Sequence, residues 1–288
     1  MTYSLLDARV TDHELYHSIY SSVAEARTFD QPRGLLAIVD YPCGLGKTNA
    51  LLSILKARPD LLVLVVVQTL SEVDRIISSV PKGRIYAPEG PGSLHRTKGE
   101  QLEPLVRAGR SIAITHNLYE RAGILAYQGA FSSYQVIIDE VPNAVSVSDL
   151  ELDAVSFNEF YVGPGYCRIE QGGLVSITNK GEEEEARLKT ALDERLISNM
   201  RSGRLYYDGK KHFIQTIPTS LFTHADSVTV LTFLSEGSLF LKFLEKHQID
   251  YRVLRSRKCN QEFQQRAREN LKIHRMPSLD KVSFGYSK

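Results

Sequence analysis

Ala37-Ile38-Val39-Asp40-Tyr41-Pro42-Cys43-Gly44-Leu45-Gly46-Lys47-Thr48 joins an apolar run to a glycine-punctuated turn that closes in Gly-Lys-Thr. The apolar half, residues 35–39, reads as a buried strand. Behind the turn, residues 49–56 put Leu51, Leu52 and Leu55 on one helical face. Strand, glycine loop and helix start together predict an anion site. The first N–H groups of a helix lack partners, and its dipole favours negative charge there. In such a loop Pro42, Cys43, Gly44, Leu45, Gly46, Lys47, Thr48 and Asn49 are expected around the phosphates of ATP. Lys47 reaches the terminal phosphates and the Thr48 hydroxyl ligates Mg²⁺. The general pattern has glycine where this chain has Tyr41.

With 288 residues the chain can hold one large or two modest domains. Hydrophobic content of 42% and charged content of 24% are those of an ordinary globular protein. A net charge of +1 gives no global signature of nucleic-acid binding, although a local basic groove can sit on a neutral protein. Cys43, Cys167 and Cys259 are scattered without metal-type pairing, which suits a reducing cytosol better than a disulfide framework. The N-terminal residues lack a signal-peptide core, and the longest apolar run, residues 61–67, is too short to span a membrane. The expectation is a soluble cytoplasmic protein, or a viral protein in host cytoplasm, with no membrane partner.

Helical spacing of Leu15, Ile19, Val23 and Ala26 predicts a helix over residues 12–27, with a turn at residues 30–34. A second strand is expected over residues 61–67, apolar on both faces as helix-covered parallel strands are. Helix 71–80, a short strand 83–86, a Pro-, Gly- and base-rich loop 88–98, and helix 100–108 follow. Strand 111–114, helix 118–126 and strand 135–138 complete the first part. This alternation predicts an α/β fold with a parallel sheet sandwiched by helices. In such sheets the ligand lies beyond the carboxyl ends of the strands. Gly44 to Thr48, Gln68-Thr69, Thr115-His116 and Asp139-Glu140 all fall there.

Beyond Ala144 the rhythm is lost, and residues 147–222 read as an inserted α+β subdomain. It is expected to hold a strand over 174–178, a charged helix over 182–200 and a hairpin of 204–207 with 213–217 turning at Asp208-Gly209. The run Glu182 to Glu185 reads as the acidic first turn of that helix. Residues 223–250 return to the core with strand 228–233 and helix 239–244, residues 1–146 being its N-terminal part. Residues 251–288 read as a C-terminal extension or the start of a second domain. They contain a possible strand at 251–254 and a helix over 261–271.

Mg²⁺ prefers oxygen ligands and keeps several waters, so one carboxylate near Thr48 is enough protein to place it. Asp139, at the end of an apolar strand, is the candidate, directly or through a water. Glu140 is placed to orient or deprotonate the water that attacks the γ-phosphate. Lys47, Asp139 and Glu140 thus form the candidate catalytic set.

This arrangement resembles the first RecA-like domain of superfamily 2 helicases, the DEAD/DEAH-box-like group. Tyr41 to Thr48 is similar to that group's Ala-Pro-Thr-Gly-Ser-Gly-Lys-Thr, which also lacks the first glycine. Asp139-Glu140-Val141-Pro142 takes the place of its Asp-Glu-x-His/Asp box, but Pro142 has no side-chain donor or acceptor for the coupling role of the fourth position. The resemblance implies nucleic-acid contacts at Gln68, Thr69, Thr115 and His116 and a coupling role for Thr232 in Leu231-Thr232-Phe233. It covers residues 35–144 well and 228–244 weakly. It also implies an arginine finger from a second RecA-like domain. The nearest string, Gln261 to Arg268, lacks the family's glycine, so the finger is expected from a partner protein or second subunit.

Other residues keep two readings. His116 fits a nucleic-acid or phosphate contact, and Thr115 or Asn117 fits a helix N-cap. His95, Arg96 and Lys98 fit a phosphodiester contact or a solvated loop. Tyr206, Tyr207 and Phe213 fit base stacking or hairpin packing, Cys43 a loop filler. Arg252, Arg255, Arg257 and Lys258 fit a nucleic-acid contact or solvated surface. The leading expectation is an ATP- and Mg²⁺-dependent helicase or translocase acting on nucleic acid, DNA favoured over RNA, and weak in hydrolysis alone. The alternatives are a catalytically weak helicase-like regulatory protein and a DNA-packaging ATPase.

Overall fold

The computed structural model describes residues 5–23, 35–89, 98–148, 150, 152–184 and 191–271. In chain order the first part holds α1 (Leu5–Val23), β1 (Leu35–Asp40), α2 (Lys47–Ala57), β2 (Val63–Val67), α3 (Leu70–Ser79) and α4 (Lys98–Arg107). It continues with β3 (Ile112–Thr115), α5 (His116–Arg121), α6 (Gly123–Tyr127) and β4 (Gln135–Asp139). Then come β5 (Val145–Val147), α7 (Ala154–Phe157), a π-helical turn (Asn158–Val162), β6 (Cys167–Ile169), β7 (Val175–Ile177) and α8 (Asn179–Glu184). They are followed by α9 (Ala191–Arg201), β8 (Leu205–Tyr207), β9 (Phe213–Thr216) and α10 (Ser220–Thr223). The chain returns through β10 (Ser227–Thr232), α11 (Leu239–Lys246), β11 (Tyr251–Leu254) and α12 (Arg257–Asn270).

Six strands form one all-parallel sheet in the order β11-β1-β10-β4-β2-β3, a RecA-like α/β architecture. The late strand β10 slots between β1 and β4, with Val230 opposite Ile38 on one side and Ile138 on the other. Side chains of a strand alternate between faces. Accordingly Val63, Val65 and Val67 of β2 face a core shared with α1, α2 and α3, while Leu64 and Val66 face the opposite core under α4, α5 and α11. Both cores are closed to water, which explains why β2 is apolar throughout. The inserted subdomain has two small antiparallel sheets, β5-β9-β8 and β6-β7, around its own core of Phe157, Tyr161, Leu196, Tyr207 and Phe213.

Tyr41 owes its place to the core. Its ring is buried among Leu15, Ile19 and Leu51, and its hydroxyl lies 3.0 Å from Ser18 Oγ. An aromatic there anchors α1 to the glycine loop, which a glycine cannot do.

Two expectations are corrected in detail, and two others are refined. Residues 83–86 form no strand: Arg84 N donates to Pro81 O in a turn, and only Tyr86 bridges to Ile112. The helix expected over 118–126 is split into α5 and α6. At the split Gly123 lies against Pro218, where a Cβ would come within 2.4 Å of the ring, and its carbonyl accepts from Ser220 Oγ. The helix that carries the acidic run begins at Asn179 rather than at residue 182, with Glu182 in its first turn and paired with Arg201 of α9; residues 185–190 lie outside the described residues. The strand expected at 251–254 forms, as an edge strand paired with β1. Of the expected features, residues 24–34, 90–97, 185–190 and 272–288 lie outside the described residues, including His95 and Arg96. Among the described residues no helix is long and apolar enough to cross a membrane.

Candidate functional site

The turn after β1 is set by two glycines. Gly44 and Gly46 have φ of 80° and 83°, left-handed values that cost an L-residue roughly 1–2 kcal/mol. Space is not the constraint, because a Cβ on Gly44 would meet nothing within 4 Å. Gly46 caps α2, and the first residues of that helix, Lys47 and Thr48, follow immediately. Lys47 is buried, and its Nζ donates to the carbonyls of Tyr41 (2.8 Å) and Pro42 (3.2 Å). The ammonium is thus held over its own loop, beside the unpaired N–H groups of the α2 start.

Asp139 reaches the same point from β4. Thr48 Oγ1 donates to Asp139 Oδ2 at 2.8 Å, joining residues 91 apart in the chain. Burial pushes the Asp139 carboxyl above the usual carboxylate range, and the Thr48 hydrogen bond pulls it part of the way back. Glu140 has a φ of 71°, a left-handed backbone in a residue with a side chain, and its N–H donates to Leu231 O of β10. Strain of this kind costs about 1–3 kcal/mol and persists only where the surroundings impose it.

A cleft of about 410 Å³ unites Cys43, Gly44, Gly46, Lys47, Thr48, Asn49, Gln68, Asp139 and Glu140. Pro42 and Leu45 belong to the loop without lining the cleft. Thr69, Thr115 and Thr232 do not line it either. Thr69 caps α3 in a reciprocal capping box with Glu72. Thr115 borders a separate pocket of about 300 Å³ beside Leu70 and Pro88, and Thr232 is buried in β10. His116 contributes indirectly: its buried Nε2 lies 2.9 Å from the Asp139 carbonyl, so the ring N–H donates there. Burial holds this imidazole below its usual pKa, partly offset by that hydrogen bond.

No protein-family model and no curated protein matches this chain. The site is therefore read from its own chemistry. Two hard oxygens, Thr48 Oγ1 and Asp139 Oδ2, face a cleft with a lysine and a helix start. That donor set fits Mg²⁺ held jointly with phosphate oxygens and water. No group of three or more His, Cys, Asp or Glu residues able to hold a metal ion by itself occurs among the described residues.

Three features escaped the sequence reading. Arg75 and Glu72 of α3 also line the cleft. They lie one helical turn apart, flanking the buried Val73 and Ile76, so the α3 register could have placed them together. Arg75 is exposed and has no ion-pair partner among the described residues. The third is Asp40, buried at the end of β1. Its carboxylate accepts from Leu234 N (2.8 Å), Ser235 N (3.2 Å) and Ser235 Oγ (2.8 Å), fixing the turn after β10. Leu234 takes a φ of 57° in that turn. As one Asp in an apolar strand, Asp40 carried no local signal.

The aromatic hairpin resolves toward packing. Phe157 meets Tyr207 and Phe213 at ring-centroid distances of 5.6 and 4.9 Å, and Lys246 Nζ sits 4.2 Å from the Tyr206 ring centroid. Arg255 pairs with Glu236. Cys43 is exposed at the cleft and Cys167 is a buried free thiol.

Proposed function

We propose that the chain is an ATP-binding, nucleic-acid-associated protein of the helicase or translocase kind, hydrolysing ATP with Mg²⁺. The observation that carries this is the Thr48–Asp139 hydrogen bond beneath a left-handed Gly44/Gly46 loop, with Lys47 and Glu140 in the same cleft. Lys47 would leave the carbonyls of Tyr41 and Pro42 to meet the β- and γ-phosphates. Thr48 and Asp139 would hold Mg²⁺, which neutralises phosphate charge as the γ-phosphoryl leaves. Glu140 would orient and deprotonate the attacking water. Arg75 would supply a cation from the same chain, beside the acidic Glu72, Asp139 and Glu140. The superfamily 2 likeness of the two motifs supports the nucleic-acid association.

Binding of a fluorescent ATP analogue, followed by phosphate release with and without DNA or RNA, tests the reading. Lys47→Ala is expected to abolish nucleotide binding. Glu140→Gln is expected to retain it while slowing turnover by about 10²–10⁴-fold, the usual worth of a positioned general base. Unchanged binding in Lys47→Ala would sink the loop assignment.

A second reading is favoured by Pro142, which offers no side-chain coupling after Glu140. Under it the chain is a regulatory protein that binds ATP with negligible turnover. Wild-type hydrolysis as slow as that of Glu140→Gln, and insensitive to nucleic acid, would select it.

A further inference from the structure

A second and larger cleft, about 740 Å³, lies between the carboxyl edge of the sheet and the inserted subdomain. One wall is Gln68 after β2 with His116, Asn117, Glu120 and Arg121 of α5. The other is α9 with Arg204 and Gln215 of the β8/β9 hairpin. Every residue lining it is polar, so neither an apolar ligand nor a peptide anchored by apolar side chains fits. Its cations are all arginines: Arg121, Arg195 and Arg204. Arg204 Nε is buried and has no hydrogen-bond partner among the described residues, a cost that a bound acceptor would remove. Two carboxylates, Glu120 facing Arg204 and Glu194 of α9, also line the cleft, so its arginines outnumber its acids by one. Four primary amides, Gln68, Asn117, Asn199 and Gln215, add paired donors and acceptors.

We propose that this cleft is the binding track for a single-stranded polynucleotide, with the inserted subdomain as its outer wall. Arginine guanidinium groups bind phosphates and stack on unpaired bases, and amides read base edges that a duplex keeps paired. Gln68 lines both clefts, and His116 reaches this cleft while bonded to the backbone of Asp139. A strand seated here would therefore touch the residues that support the nucleotide site. The choice of a polynucleotide rests on the function proposed above; the shape and lining of the cleft do not.

The test measures fluorescence anisotropy of labelled oligo-dT, oligo-U and a blunt duplex across a salt series. A fluorescent ATP analogue is titrated in parallel. Arg121→Glu with Arg195→Glu, both at exposed positions, is expected to weaken both single strands about tenfold or more. It should also lower the salt dependence, log K against log salt, by about 1.4, for two lost phosphate contacts. Nucleotide affinity should stay within about twofold, and Lys242→Glu on α11, remote from both clefts' linings, should change nothing. If the double reversal fails to fold, Asn117→Ala is expected to weaken strand binding in the same direction. Strand affinity unchanged in these variants, absence of strand binding by the wild type, or equal binding of the duplex would overturn the proposal. Strand binding that depends on Arg121 and Arg195 without any nucleotide binding would leave the cleft assignment standing and remove the ATP reading instead.

Discussion

Glu140 carries a left-handed backbone that only a glycine adopts without strain, and Leu231 O holds its N–H there. Glu140→Gly is therefore expected to stabilise the protein by about 1 kcal/mol in urea unfolding while abolishing turnover. Arg75 faces the phosphate cleft with no ion-pair partner among the described residues. Arg75→Ala should weaken ATP binding about 10- to 100-fold and ADP binding much less, as expected for one charged hydrogen bond to the terminal phosphate. Equal losses for both nucleotides would place Arg75 elsewhere. His116 gives a pH signature. Its folded pKa is lowered, so its contribution to stability is fully present above the ordinary imidazole value of 6.5 and is lost as pH falls through the folded value. Wild-type stability in urea should fall as pH drops below about 6.5 more steeply than that of His116→Asn. Glycine spacing and the Gly-Lys-Thr close made the loop legible. Arg75 and Asp40 were not legible, because each acts on a segment distant in the chain.

At the scale of elements, the glycine loop is held from two sides. Tyr41 ties it to α1 through its buried ring, and Asp40 ties β1 to the turn after β10. Asp40→Ala leaves two backbone N–H groups and a hydroxyl without their acceptor and is expected to cost about 3 kcal/mol. Asp40→Asn should recover part of this, since its carbonyl still accepts. Tyr41→Ala should cost about 3–5 kcal/mol, the range for emptying a buried aromatic site, whereas Tyr41→Phe should cost about 1 kcal/mol for the Ser18 contact. Strands β1, β2, β3, β4 and β10 of the parallel sheet were legible because each is an apolar run of sheet length, whereas the three-residue β5 and β6 of the subdomain were not. The splitting of α5 from α6 was not, because it falls where Gly123 meets Pro218, a contact across the fold.

Across the whole molecule, the subdomain core is separate from the two sheet cores. Gly173 and Gly181 sit at crowded points inside it, where an added Cβ would come within 2.5 Å of Tyr207 O and 2.2 Å of Tyr166 O. Gly181→Val is expected to loosen the subdomain and expose it to limited proteolysis while the sheet stays protected. Under the proposed function, the same variant should keep ATP binding and lose strand binding.

The sequence by itself determined the parallel α/β class, because apolar runs buried on both faces alternate with one-sided helices, and it marked the glycine loop through residues adjacent in the chain. It also supplied Asp139 and Glu140 as the end of an apolar strand. The tertiary structure alone decided that β10 lies between β1 and β4, with Leu231 O accepting from the Glu140 N–H. It alone brought Arg75 to the cleft, tied Asp40 to the turn after β10 and opened a second cleft against the subdomain. Local spacing encodes which residues share a face. Which faces meet is decided by packing between segments that the chain keeps far apart.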